Sequence, residues 1–121
     1  MAPPDDLLVR IAAMVEAEQQ SQMSLTVVLP GAVITGRLAP EALWKERVAE
    51  VLRASEELRP FAAVFTAPDT GQKPPRPTHL HFHLARILQG TMGIPDTGGM
   101  YRVALADVSA WTVGDIAYSD Q

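Results

Sequence analysis

The chain has no cysteine, which excludes a disulfide framework and any thiolate metal site and fits a reducing compartment. It has no uninterrupted apolar run near the ~18 residues that a membrane-spanning helix needs. No basic segment precedes the first apolar run, which follows Met1-Ala-Pro-Pro-Asp-Asp6, so a secretory signal is not expected. An excess of basic residues is lacking too. Fourteen acidic against ten basic residues leave a net charge of −4. That balance argues against broad contact with a phosphate backbone, while leaving room for a local basic spot. Together these absences describe a soluble, cytoplasmic protein with no expected membrane or nucleic-acid partner.

What is present is one domain, 1–121, of a length that buries a core without staples. Residues 5–20 have helical spacing: Leu8, Ile11 and Val15 form a stripe with Leu7 and Met14 beside it. Asp5 stands where a side chain can accept from a free amide at the helix start. Residues 24–38 then read as two strands, Leu25–Leu29 and Ala32–Leu38, joined by Pro30-Gly31. Gly36 lies inside the second strand, where glycine is unfavourable unless the strand bends or another backbone comes close. Pro40 suits a first helical turn, and residues 40–57 form a second helix with Trp44, Val48, Val51, Leu52 and Ser55 facing inward.

Residues 59–78 hold five prolines and read as a surface loop, with Phe61–Phe65 docking as a short apolar strand. Residues 79–116 supply three more strands. The first, His79-Leu-His-Phe-His-Leu-Ala-Arg-Ile-Leu88, alternates: Leu80, Phe82 and Leu84 on one face, His79, His81 and His83 on the other. Gly90–Gly99 is a glycine-rich connection. Tyr101–Leu105 and Ala110–Ile116 follow, separated by a tight turn. The expected architecture is mostly β with helix: five short bent strands closing a small barrel capped by the leading helix. A second helix and a proline-rich loop are inserted between strands two and three. That order is the layout of an Sm-like barrel.

Four features resemble the gas vesicle accessory protein U (GvpU) family. They are Gly31-Ala-Val-Ile-Thr-Gly36, the helix after Leu38, the His81 strand ending Ala85-Arg86-Ile87, and Asp107-Val-Ser-Ala-Trp-Thr-Val-Gly114. They occur in the family's order, and Gly31, Gly36, His81, Ile87 and Gly114 match its landmarks over roughly residues 5–116. His79, His83 and Leu84 depart from the aromatic, basic and Asp-like residues usual there. The spacer before that strand is proline-rich in this chain, and the family's basic C-terminal tail has no counterpart before Gln121. The resemblance implies a non-enzymatic accessory protein that works by self-association and protein contact. Its partners would be its own copies, gas vesicle shell protein or other accessory proteins, in vesicle assembly or clustering.

Candidate sites are few. A His-x-His pair on a strand can reach one zinc ion if a neighbour adds a third ligand, so His79, His81 and His83 are weak metal candidates. These are the chain's three histidines, and an exposed or inter-subunit strand face explains them without a metal. Asp96, Asp107 and Asp115 sit in turn-like contexts, where aspartate bonds its own backbone. Gly90–Gly99 lacks the spacing of a phosphate loop. No catalytic residue, cofactor or enzymatic activity is expected. Sm-like barrels associate by pairing strand four of one subunit with strand five of the next. That makes Tyr101, Val103, Leu105, Trp111 and Val113 interface candidates. The competing functions are an Sm-like RNA-binding ring and a metal protein built on the histidine strand. RNA recognition wants basic residues beside exposed aromatics, a combination this acidic chain does not show.

Overall fold

The computed structural model describes residues 3–18, 23–66, 76–89 and 92–114. Its elements are α1 (Asp6–Glu18), β1 (Ser24–Leu29), β2 (Ala32–Leu38), α2 (Glu41–Arg53), α3 (Ala62–Thr66), β3 (His79–Gln89), β4 (Met92–Ala104) and β5 (Ala110–Val113). The strands form one antiparallel sheet in the order β4-β3-β2-β1-β5.

The first two helices are capped in different ways. Asp5 Oδ1 accepts from the amides of Leu7 (2.8 Å) and Leu8 (3.2 Å), satisfying two donors that the first turn leaves free. Pro40 precedes α2 in extended conformation and offers no side-chain cap. Glu16 of α1 does this instead: its Oε2 accepts from the Glu41 amide at 2.7 Å. The two helices are thereby tied across the β1–β2 hairpin.

Residues directly opposite on paired strands share a face. The core face carries Leu25, Val27, Ile34, Leu38, Leu80, Phe82, Ala85, Val103 and Leu105, all buried, with Leu8 and Ala12 of α1 packed on them. The opposite, outer face carries Thr26, Thr35, Arg37, His79, His81, His83, Arg86, Arg102 and Thr112. α2 lies against that outer face at β3, its Trp44 ring 5.1 Å from that of His81. Thr26 Oγ1 donates to the Gly114 carbonyl at 2.9 Å and accepts from Thr35 Oγ1 at 2.8 Å. Both hydroxyls are thus satisfied where the threonines are buried.

Gly36 is where two strands meet most closely. A Cβ built on it would lie 2.5 Å from the Ala85 Cβ and 2.7 Å from the Ala85 Cα. Strand register shifts between Thr35 and Arg37 and again between Phe82 and Ala85. Leu84 absorbs the second shift with φ +52°, and the extra residue restores the alternation, so Ala85 again faces the core. The expected bend or close approach at this glycine is therefore present.

Several expectations need correction. The sheet is not closed: among the described residues β4 and β5 are its two edges and are not paired. Phe61–Phe65 is not a strand. Arg59–Phe61 forms a 3₁₀ turn leading into α3, because Ala62 and Phe65 pack back on α2, where Trp44 meets Phe65 edge-on at 6.1 Å. The glycine-rich stretch is largely strand, Met92–Gly99 continuing β4, since backbone pairing with β3 (Leu88 opposite Gly93, Gln89 opposite Met92) does not require side chains. Pro95 is tolerated there because β4 is an edge. α2 stops at Arg53, and Val51 is exposed while Ala49 is buried. Leu84 is 56% exposed, not on the buried face. The proline-rich residues 67–75 and the end of the last expected strand, 115–116, lie outside the described residues. No helix among the described residues is long and apolar enough to cross a membrane.

Candidate functional site

The histidine row occupies the outer face of β3, but it is not an open surface. His81 is 2% exposed and His83 7%, and Trp44 of α2 lies over His81. His79, at the start of the strand, is half-buried and bonds Thr78 Oγ1 through Nδ1 at 2.9 Å. The exposed-face expectation for His81 and His83 is overturned by their burial, which at His81 comes from Trp44 of α2.

Arg102 stands opposite His81 on β4, and its Nε donates to His81 Nε2 at 3.1 Å. An accepting Nε2 places the proton of the neutral ring on Nδ1. Burial, the largest cause, holds the His81 pKa down to about 4. Glu41 pulls it up, and Arg102, His79 and Lys45 push it down. Burial also lowers His79, with Arg102 acting the same way. Glu41 is held below its ordinary value chiefly by its hydrogen bond to Lys45, which lies 2.8 Å away. The His81 Nδ1 and Trp44 Nε1 donors are buried without an acceptor among the described residues, at a cost of about 1–3 kcal/mol each.

This chemistry bears on the metal candidates. A zinc ligand needs a free imidazole lone pair, and the one on His81 is engaged by a guanidinium. Among the described residues no group of three His, Cys, Asp or Glu side chains could hold a metal ion. The three aspartates are not brought together. Asp107 is exposed in a 3₁₀ turn, Leu105–Asp107, while the Asp96 side chain and Asp115 lie outside the described residues.

The interface candidates divide by burial. Val103 (5% exposed) and Leu105 (1%) belong to this chain's own core. Tyr101 and Trp111 are half-buried beside that core. Val113 sits on the core face opposite Leu25, yet it is 62% exposed, because among the described residues no strand lies beyond β5. Sequence reasoning missed Arg102, Trp44 as the cover over His81, and Glu16 as the cap of α2. The only available signal was the alternation in β3. Which residue faces His81 depends on register, and no local pattern encodes it.

A family model for gas vesicle protein GvpU-like matches residues 5–116. The chain belongs to the GvpU-like family. The match runs from the capping residue of α1 past the end of β5, so the GvpU-like region takes in every helix and strand described above. No curated protein and no solved structure matches the chain.

Proposed function

We propose that this GvpU-like chain is a non-enzymatic, cytoplasmic gas vesicle accessory protein that acts through self-association and contact with other proteins. The family match over nearly the whole chain carries this reading. The two open sheet edges give it a physical route. Unpaired edge amides and carbonyls are a template for another strand. β5 of one copy would pair with β4 of the next, bringing Tyr101 of one protomer toward Trp111 and Val113 of its neighbour, with Val103 in β4 and Leu105 just after it anchoring that edge in the core. The contact is head-to-tail, so repeated copies form a ring of bent, Sm-like subunits where the rotation closes. Vesicle shell protein, or another accessory protein, is the further partner.

Light scattering on the purified chain tests the first half of this proposal, and co-flotation with intact gas vesicles tests the second. Discrete oligomers that Val113→Lys dissociates, with its far-UV spectrum unchanged, are the expected result. A strict monomer that stays behind when vesicles float overturns the proposal.

A further inference from the structure

Exposed apolar side chains gather at one end of the helical pair α2 and α3. Val51, Leu58, Phe61 and Val64 are 59%, 44%, 59% and 72% exposed. The stripe of α2 explains the first of them, since Trp44, Val48 and Val51 fall at i, i+4, i+7 and share a face. Its Trp44 end is covered by His81 and Phe65, and its Val51 end runs past them. The chain then turns tightly. Ala54 N donates to Val51 O at 3.3 Å, Leu58 N to Ser55 O at 3.2 Å and Phe61 N to Leu58 O at 2.9 Å. After that turn α3 folds back on α2, which leaves the four apolar side chains around the closed end of the hairpin.

We propose that this hairpin end is a two-fold interface between two copies of the chain. The area suits a dimer. A large side chain shows about 150–250 Å² when fully exposed, so these fractions leave about 400 Å² of apolar surface, within the size range of functional patches. A standard interface buries about 800 Å² on each partner, of which about 450–520 Å² is apolar.

The charges decide the partner. From Glu50 to Arg59 the exposed charged residues are Glu50, Arg53, Glu56, Glu57 and Arg59, and none forms an ion pair with another described residue. A uniformly acidic or uniformly basic surface laid on this rim meets like charge. A second copy turned about a two-fold axis sets the arginines of one rim against the glutamates of the other, as a self-complementary patch requires. The contact uses no residue of β4 or β5. Edge pairing is head-to-tail and strings copies together, and a two-fold contact at the hairpin joins two such strings.

The inference rests on the reading of this chain as self-associating, and the test separates the two contacts. Sedimentation is measured on the wild type, on Val113→Lys, which breaks edge pairing, and on Val113→Lys carrying Val64→Asp or Phe61→Asp. The expected result for Val113→Lys alone is a reversible dimer with Kd in the micromolar range. Either aspartate weakens it at least tenfold, and Val64→Asp leaves the melting temperature unchanged. On the same background, Glu50→Arg with Glu57→Arg and Arg53→Glu with Arg59→Glu each give monomers that dimerise when mixed. A monomeric Val113→Lys protein overturns the two-fold interface, and leaves edge pairing standing where the wild type still oligomerises. A dimer indifferent to both aspartates, or a mixture no more associated than its parts, overturns it too. So does a Val64→Asp protein that keeps its dimer and loses co-flotation with gas vesicles, which gives the patch to shell protein. A wild type whose oligomer is a dimer that Val64→Asp dissolves and Val113→Lys does not overturns edge pairing and leaves this interface standing.

Discussion

Adding one methyl group at Gly36 should cost this fold more than any surface change of that size. The Cβ of Gly36→Ala would stand 2.5 Å from the Ala85 Cβ and 2.7 Å from its Cα, where carbon atoms in contact keep about 3.5–4.0 Å. The obstacle is a neighbouring backbone, not the end of a flexible side chain, so β2 and β3 must part by more than 1 Å or lose their register. Forced overpacking of a core costs about 1–3 kcal/mol, and the upper half applies because Ala85 is fully buried. For a domain of this size, each kcal/mol lowers Tm by about 3–5 °C.

Urea unfolding of four proteins reads the effect: wild type, Gly36→Ala, Ala85→Gly and the double variant. Gly36→Ala should lose about 2–3 kcal/mol and Ala85→Gly about 1 kcal/mol, from the entropy of a glycine in a strand. The double variant should recover only part of the Gly36→Ala loss, since removing the Ala85 methyl relieves the 2.5 Å contact and leaves the 2.7 Å contact with the Ala85 Cα. That gives a coupling energy of about 0.5–1 kcal/mol. If the two losses simply add, or if Gly36→Ala is within about 0.5 kcal/mol of wild type, the close approach is not what requires glycine here.

Three further outcomes follow from the same geometry. Leu84 holds φ +52° with most of its side chain in solvent, so Leu84→Gly should stabilise by about 0.5–1 kcal/mol in thermal melts; a loss would mean that its exposed side chain has a packing role. The His81 pKa of about 4 lies below the unfolded value near 6.5, so between those values the unfolded chain binds the extra proton. Stability present above about pH 6.5 is therefore lost as pH falls toward 4, by at most about 3 kcal/mol. His81→Gln should flatten that part of the urea-midpoint profile, and an unchanged profile would assign the acid sensitivity elsewhere. Thr26→Val removes the donor to the Gly114 carbonyl and the partner of Thr35, and should cost about 1–2 kcal/mol in urea, with faster amide exchange in Ala110–Gly114 as the local signature.

Legibility in the sequence followed the range of the interactions. Both strands of the first hairpin, its Pro30-Gly31 turn and the cap at Asp5 are decided within a few residues, and each was readable; Gly36 signalled a bend or close approach, but its partner Ala85 lies on another strand. The β4 extension was not readable, because Gly93 and Gly99 are the usual marks of a loop, and only pairing with Leu88 and Ala85 of β3 makes them strand. Phe61-Ala-Ala-Val-Phe65 could follow either period, and contact with Trp44, seventeen or more residues earlier, decided for helix. A closed barrel was expected from strand number and bend. Strand order and antiparallel pairing are found as five bent strands allow, but closure depends on how far β4 and β5 travel around, a sum of small twists with no signature of its own.

The histidine strand shows why the candidate site was harder still. Alternation correctly separated His79, His81 and His83 from Leu80 and Phe82, so the face was legible. Whether that face met water, a metal or protein was not, because the answer lies with α2 and β4. Trp44 covers His81 from one side, and Arg102 takes its lone pair from the other. Together they make it a buried acceptor bonded to the edge strand β4. Had Arg102 been a carboxylate, the same row would have presented a third metal ligand and the chemical reading would stand. A basic residue at that position instead occupies the lone pair that a metal would need.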